Sequence, residues 1–332
     1  MKKIAINGFG RIGRTVLRTL LEKSLDSQID VVAINLGPSK PDNLALLFAY
    51  DSLMGPFPGT VTSDEKSLVI NGKTIALFSE KDPANLPWKQ LSIDAVVESS
   101  GAFTDGETAQ AHLAAGAKKV LITAPAKNAH VTIIIGVNDQ TYDQTKHHII
   151  SLGSCTTNCF APVIKVLLEA LQLRSGLMTT IHSYTNDQVL LDIEHKDPRR
   201  ARAATLNMIP TKTGAKSLIA KIFPDLAGSI DAVAIRVPTP TVSLLDFSFV
   251  ASKPLSVDAI NNAFKIASTG RLKHIMQYED KPLVSSDFKG SSASCIIDSL
   301  LTQATGSMGK VFAWYDNEYG YSCRVRDFLL LV

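Results

Sequence analysis

Six residues near the start of the chain, Gly8-Phe9-Gly10-Arg11-Ile12-Gly13, constrain the fold more than any other stretch. They follow directly on a β-rich run, Lys3 to Asn7, with Ile4 to Ile6 apolar. They lead into a helical pattern, Arg14 to Leu25, with Val16, Leu17, Leu20 and Leu21 on one side. Glycines spaced GxGxxG between strand and helix permit a tight turn and let backbone N–H groups approach a pyrophosphate. They also let the helix pack close on the strand. The spacing alone suits an ordinary glycine-rich βα turn too. The strand and helix on either side make a dinucleotide site the sharper expectation.

A chain of 332 residues is too long for one ordinary core and implies two domains. Further strands are expected at Val31 to Asn35, Ser67 to Ile70, Lys73 to Phe78, Ala95 to Glu98, Val120 to Ile122 and Thr132 to Val137. A helix fits Thr104 to Ala115. This alternation predicts an α/β domain with a doubly wound, mostly parallel sheet. Ser99-Ser100-Gly101 and Thr123-Ala124-Pro125 fall just beyond the carboxyl ends of two strands, where such sheets bind ligands. The second strand ends at Asn35. A ribose-binding Asp or Glu belongs there, but Leu36-Gly37-Pro38-Ser39-Lys40 follows, and Asp30 lies at the wrong end. NAD and NADP are both open on this ground; Ser39 and Lys40 fit either a 2′-phosphate contact or a plain loop.

Near the middle, Ser151-Leu152-Gly153-Ser154-Cys155-Thr156-Thr157-Asn158-Cys159 ends one folding unit and opens a helix that runs to about Leu171. A strand follows at Leu177 to His182, and then a long polar segment, Ser183 to Arg202, with four cations at Lys196, Arg199, Arg200 and Arg202. Pro210-Thr211-Lys212-Thr213-Gly214 precedes a helix at Ala215 to Phe223, a plausible anion seat. Strand character recurs at Ala232 to Val237, Val242 to Val250, Ser294 to Asp298 and Lys310 to Tyr315, with a helix at Val257 to Ser268. That grouping predicts an α+β domain with a mostly antiparallel sheet. Asn317 to Val332 has helical character and suits packing back on the first domain.

A thiol at a helix start sits among unpaired backbone N–H groups, which favour a thiolate. Cys155 therefore reads as a nucleophile or, as most lone cysteines do, as a small buried residue. His182 ends a strand and reads either as its base or as a hydrogen-bonded structural residue. The other histidines, His112 among them, have no comparable neighbourhood. A thiolate, a nicotinamide site and an anion seat together define a narrow chemistry. The thiol adds to an aldehyde, the adduct loses hydride to leave an enzyme thioester, and phosphate or water takes the acyl group. Arg200, Arg236, Thr185 and Thr213 are the residue types that oxyanion seats need.

Apolar content of 45% and a net charge of +3 argue against nucleic acid or a membrane as the primary partner. Four cysteines without metal-ligand spacing fit a reducing compartment. Met1-Lys2-Lys3 leads into a strand, not into a signal-peptide apolar region, and no apolar run is long enough to span a bilayer. A cytoplasmic location is expected.

The chain resembles the phosphorylating glyceraldehyde-3-phosphate dehydrogenases. The matching motifs are Asn7 to Arg14, Ser154-Cys155-Thr156-Thr157-Asn158-Cys159 and His182-Ser183-Tyr184-Thr185-Asn186-Asp187-Gln188. Lys196-Asp197 with Arg199 to Ala204, Arg236-Val237-Pro238-Thr239-Pro240 and Trp314 to Tyr321 complete the set, which spans essentially the whole chain. The resemblance implies a Rossmann-type dinucleotide-binding domain over residues 1–154, joined by the C-terminal helix 318–332, and a catalytic domain over 155–317. It implies Cys155 as nucleophile and His182 as base and later acid. The cofactor would lie along Asn7, Gly8, Phe9, Gly10, Arg11, Ile12 and Gly13, with Asn35, Leu36, Lys81, Ser99, Gly101 and Thr123. Ile12 would pack on the nicotinamide ring and Asn317 would hold its carboxamide. The substrate phosphate would sit near Thr185, Asp187, Arg200 and Arg236, and the attacking inorganic phosphate near Ser154, Thr156, Thr213, Gly214 and Arg236. The product would be 1,3-bisphosphoglycerate. A homotetramer is implied, with Ser183 to Arg202 reaching toward a neighbour's cofactor.

Some positions depart from the family's usual pattern. Leu36 replaces the Asp of NAD-using members, Lys81 an Arg that flanks the adenine, and Ile193-Glu194 a Leu-Pro pair; Lys212 and Lys216 add charge at the anion seat. Losing the Asp removes repulsion of a 2′-phosphate and admits NADP. Glu194 offers a carboxylate that would restore NAD preference from the neighbouring subunit. Erythrose-4-phosphate oxidation is the alternative within the family. A non-catalytic nucleic-acid or surface-binding role is the alternative outside it.

Overall fold

The computed structural model describes residues 1–22, 28–37, 39 and 41–332. The chain folds as two compact units. Unit 1 comprises Met1–Ile133, Gln140–Gly153 and Ser322–Val332; unit 2 comprises Ile134–Asp139 and Ser154–Tyr321. Lys23 to Leu25, the expected end of the first helix, and Pro38 and Lys40 lie outside the described residues.

Unit 1 runs β1 (Lys2–Asn7), α1 (Arg11–Glu22), β2 (Ile29–Asn35), α2 (Pro41–Ala49), β3 (Tyr50–Asp51), β4 (Gly55–Pro56), β5 (Val61–Ser63), β6 (Ser67–Ile70), β7 (Lys73–Phe78), α3 (Trp88–Leu91), β8 (Ala95–Glu98), α4 (Gly106–Ala114), β9 (Lys119–Ile122), β10 (Val131–Thr132) and β11 (Ile149–Ser151). Its main sheet has the order β10-β11-β9-β8-β1-β2-β7-β6-β5. The pairs from β10 to β7 are parallel, and β6 and β5 are antiparallel. Central strands buried on both faces need continuous apolar runs, and β8 and β9 have them in Val96-Val97 and Val120-Leu121-Ile122. The first strand crosses to its parallel neighbour β2 through the glycine turn and α1, so the turn lies at the carboxyl edge of the sheet.

The expected strand over Thr132 to Val137 stops at Thr132. Beyond it Ile134 N–H donates to Asn138 Oδ1 (2.7 Å) and Gly136 N–H, at φ +81°, donates to Asp139 Oδ1 (2.8 Å). A turn closed by these two side-chain acceptors replaces the strand. Ile134 and Val137 join the apolar core of unit 2, whereas Ile133 belongs to unit 1. The apolar run is real, but it serves two cores.

Unit 2 runs α5 (Cys155–Leu171), β12 (Leu173–Ser183), β13 (Ile209–Thr211), α6 (Ala215–Ile222), β14 (Ile230–Val237), β15 (Ser243–Ala251), α7 (Val257–Thr269), β16 (Met276–Glu279), β17 (Cys295–Asp298), β18 (Gln303–Thr305) and β19 (Met308–Tyr315). The sheet order is β13-β14-β12-β15-β19-β17-β16, with β18 on β19. Most pairs are antiparallel; β12 with β14 and β16 with β17 are parallel. The helix α5 packs on α6, α7 and the sheet. It buries Phe160, Val163, Ile164 and Leu167 completely, and Phe160 meets Phe247 edge-on at 4.9 Å. Each such side chain contributes about 1.5–3 kcal/mol. That core holds the first turn of α5 and the end of β12 in fixed register. A last helix, α8 (Tyr319–Leu329), begins in unit 2 and belongs to unit 1 from Ser322 on. Lys2 Nζ donates to Leu330 O at 2.8 Å, past the end of that helix, where its carbonyls favour a cation.

Candidate active site

Ser154 is the N-cap of α5, with an extended backbone and an Oγ that accepts from Thr157 N–H (3.1 Å). The helix therefore starts at Cys155. Cys155 occupies the first turn, where its own N–H and that of Thr156 have no intrahelical acceptor. The residue as a whole is partly exposed. Sγ lies 3.5 Å from His182 Nε2. On the other side of the imidazole, Nδ1 lies 2.6 Å from Ser183 O. A carbonyl only accepts, so Nδ1 carries the proton and Nε2 turns its lone pair to the thiol.

The electrostatics of the pair have two sides. Burial pushes the Cys155 thiol up, opposed by the Arg236 cation and by the N–H groups of the helix start. Burial, with Arg236 nearby, pushes His182 down to about 3. At rest the imidazole is neutral and able to receive a proton. Tyr315 frames it: the rings meet edge-on at 6.0 Å. The Tyr315 hydroxyl hydrogen bonds Thr156 Oγ1 (3.0 Å) and Thr180 Oγ1 (2.7 Å), and burial raises its pKa.

Several other predicted residues gather in the same unit. Arg236 Nη1 donates to Ser183 O (3.0 Å) and Thr185 Oγ1 (3.2 Å), while its Nε is buried without a partner. Arg200 pairs with Asp187, and its Nε donates to Thr211 Oγ1 (3.0 Å), which in turn donates to Asp197 Oδ2 (2.6 Å). Thr213 Oγ1 accepts from Ala215 N–H at the start of α6, and Gly214 precedes that helix with no side-chain cap. Ser154 and Thr156 already spend their hydroxyls on the cap and on Tyr315, so their backbone N–H groups are the donors left for an anion. Asn317 is buried, with Oδ1 2.9 Å from Ser183 Oγ and 3.3 Å from Ser243 Oγ. Lys216, read as extra charge at the anion seat, pairs with Asp231 at 3.0 Å.

In unit 1 the glycine turn has the form a dinucleotide needs. Gly8 sits at φ +90°, and a Cβ there would overlap the backbone of Ser100. A Cβ on Gly13 would overlap Gly8 O, so α1 could not close on the turn. Gly10 faces open space, leaving its backbone reachable. Ser99 Oγ donates to Gly8 O (2.7 Å), and Thr123 N–H and Oγ1 both donate to Glu98 O (3.0 Å). Gly101, at φ +78°, and Lys81 are exposed. Phe9 turns its ring inward onto Phe48, so only its backbone faces the turn; Arg11 pairs with Asp51. Ile12 is partly exposed at the start of α1. Leu36 is buried, and Asn35 turns its amide to Asn7 Oδ1 (2.7 Å), so no carboxylate stands at the end of β2. Asp30, at the other end, pairs with Lys73. The backbone cradle fits a pyrophosphate.

Residues 2–106 match the family model "Glyceraldehyde 3-phosphate dehydrogenase, NAD binding domain", and residues 154–317 match its "C-terminal domain". The chain belongs to the glyceraldehyde 3-phosphate dehydrogenase family. Glyceraldehyde-3-phosphate dehydrogenase 2 of Trichormus variabilis is 51% identical, aligning with 100% of this chain and 98% of its own length. Glyceraldehyde-3-phosphate dehydrogenase 1 of Bacillus cereus is 50% identical over 98% of this chain and 97% of its own. The glyceraldehyde-3-phosphate dehydrogenase of Geobacillus stearothermophilus is 50% identical over 98% and 96%. These relatives carry the glyceraldehyde-3-phosphate name, not that of an erythrose-4-phosphate dehydrogenase. In this family member three polar residues have partners that the sequence did not reveal. Tyr315 was visible as the end of a strand and as part of the Trp314 to Tyr321 motif, with no role of its own. Glu98 and His112 lie apart in sequence and carry no motif, yet they meet at 2.9 Å in the interior.

Proposed function

We propose that this protein oxidises D-glyceraldehyde 3-phosphate with a nicotinamide dinucleotide and inorganic phosphate, giving 1,3-bisphosphoglycerate. The observation that carries the reading is the Cys155–His182 pair, with Nδ1 held by Ser183 O so that Nε2 faces Sγ. The thiol proton passes to Nε2 as Sγ bonds to the aldehyde carbon, and Nε2 returns it to the aldehyde oxygen, giving a thiohemiacetal and a neutral imidazole. A bound nicotinamide dinucleotide supplies the hydride acceptor. As hydride leaves, His182 takes the hydroxyl proton, and a thioester remains on Cys155. A phosphate oxygen then attacks the thioester carbon, the C–S bond breaks, and Cys155 departs as thiolate. Arg236, its Nε buried without a partner, and the N–H groups at the starts of α5 and α6 are the anion-binding groups for this sequence.

The cofactor proposed is NAD, held at the glycine turn. Because Leu36 is buried and no carboxylate ends β2, NADP is the second reading. Glu194, exposed in the long segment after β12, is the carboxylate proposed to restore NAD preference from a neighbouring subunit. That segment exposes Leu190, Leu191, Ile193, Leu206 and Met208, which supports a subunit interface there; the assembly proposed is a homotetramer. All four cysteines are free thiols, in keeping with a cytoplasmic location, and no helix among the described residues is long and apolar enough to cross a membrane. Initial rates with glyceraldehyde 3-phosphate, with and without phosphate and for each cofactor, test the reaction. Light scattering on the purified protein tests the assembly.

A further inference from the structure

The carboxylate at the end of β8 is buried at 2% exposure and accepts four hydrogen bonds. Glu98 Oε1 accepts from Ser100 N–H (2.8 Å) and Ser100 Oγ (2.5 Å). Its Oε2 accepts from Asn7 Nδ2 (2.5 Å) and lies 2.9 Å from His112 Nε2. Trp88 Nε1–H donates to His112 Nδ1 (3.0 Å), so the imidazole proton is on Nε2 and points at Glu98. The chain continues: Asn7 Oδ1 accepts from Asn35 Nδ2 (2.7 Å), and Asn35 brackets the backbone of Glu80 at 2.9 Å on both sides. One carboxylate thus ties the ends of β1 and β2 and the turn after β8 together. The helix α4 supplies the imidazole that holds it.

A buried carboxylate is costly unless every lone pair is used, and here all are engaged, by donors from β1, from α4 and from the turn after β8. The elements it joins are those where the glycine turn meets the Ser99–Gly101 turn. Gly8 packs so close to Ser100 that no Cβ fits between them, and Ser99 Oγ donates to Gly8 O. A small displacement of either turn would change the backbone N–H cradle.

We propose that Glu98, locked by His112 and Trp88, is a positioning residue that presets the dinucleotide crevice without touching the dinucleotide. The proposal rests on the reading that this crevice takes a nicotinamide dinucleotide. Disrupting the network lets the two turns that form the cradle shift apart, and cofactor affinity falls about tenfold or more.

The test is calorimetric titration of the full-length protein with NAD and NADP, alongside steady-state kinetics. Glu98→Gln presents an amide NH2 to donors, His112→Leu removes the imidazole, and His112→Gln retains a group that can accept from Trp88 and donate to Glu98. Ser100→Ala removes the Oγ bond to Glu98 and the one that Oγ accepts from Ala102 N–H, both in an exposed turn, and so keeps a folded probe of the network. The expected result is a Kd raised about tenfold or more in E98Q and H112L and several-fold in S100A, with H112Q between them and wild type. The KM for the dinucleotide rises in step, kcat at saturating dinucleotide stays within about twofold, and alkylation of Cys155 by iodoacetamide is unchanged. Wild-type protein that binds neither dinucleotide overturns the underlying reading. Wild-type protein that binds, with every folded variant binding equally well or losing kcat instead of affinity, overturns the positioning role alone.

Discussion

Cys155 and His182 face each other at 3.5 Å, one from the first turn of α5 and the other from the end of β12, with the imidazole oriented by a backbone carbonyl. Orientation by the main chain means that no other side chain is needed to hold the tautomer. His182→Asn should leave the fold intact and lower kcat by about 10²–10⁴-fold, the usual worth of a positioned general base. A loss under about threefold would remove His182 from the chemistry.

The same burial gives His182 a signature in stability. Its folded pKa is lowered to about 3, against an ordinary value of about 6.5 in the unfolded chain. Between those values the unfolded state binds the extra proton, so this group's contribution is present at neutral pH and lost as pH falls toward 3. Relative to His182→Asn, wild-type protein should therefore lose melting temperature steadily from pH 7 to pH 5. Parallel curves for the two proteins would show that the imidazole is not held neutral.

Arg236 is the cation that draws the Cys155 thiol back toward ionisation. Replacing it with Gln should move the pH midpoint of Cys155 alkylation upward by about 1 unit or more, the scale of an opposite charge at close range. The shift is to be read from iodoacetamide rates between pH 5 and pH 10 in substrate-free enzyme. A midpoint that stays put, or falls, contradicts the assignment.

Tyr315→Phe removes a buried hydroxyl shared by Thr156 and Thr180 while keeping the ring against His182. Two threonine hydroxyls lose a partner, at a cost of about 1–3 kcal/mol each if no water replaces it. Denaturant unfolding should register that loss, and kcat should fall less than in His182→Asn. Unchanged stability would mean that the threonines find other partners.

Much of the fold was legible because hydrophobic pattern and turn chemistry agreed along the chain. The run Lys2–Asn7, the glycines and α1 declare a βα unit, and the apolar pairs of β8 and β9 declare buried parallel strands. The failures have physical causes. Ile133 and Ile134 read as one strand but belong to two units. The helix α2 shows no clean stripe, since Leu44 and Phe48 are buried while Leu46 and Leu47 face outward. The early part of β12 hides behind Arg174-Ser175-Gly176, where a Cβ on Gly176 would strike the Phe247 ring. At the candidate site, Cys155 and His182 stood out by their neighbourhoods. Tyr315 and the Glu98–His112 pair did not, because their partners come from remote segments that no local pattern links.

Cofactor choice turns on the missing carboxylate after Asn35. With Leu36 buried there, Leu36→Asp should lower kcat/KM for NADP more than for NAD, through repulsion of the 2′-phosphate. Glu194→Ala should shift the NAD/NADP ratio of kcat/KM toward NADP by about tenfold, the worth of roughly one charged hydrogen bond. Steady-state kinetics with both cofactors decides it; an unchanged ratio in Glu194→Ala would end the case for that residue.

The most direct test of the central claim is rapid-quench single turnover with glyceraldehyde 3-phosphate and NAD. Without phosphate, the wild-type protein should give a burst of about one NADH per active site and an acyl adduct on Cys155 detectable by mass spectrometry. Adding phosphate should release the adduct and start steady turnover, and Cys155→Ser should show neither. Sustained NADH formation at the full rate without phosphate, or an adduct-free Cys155 after the burst, would contradict the account.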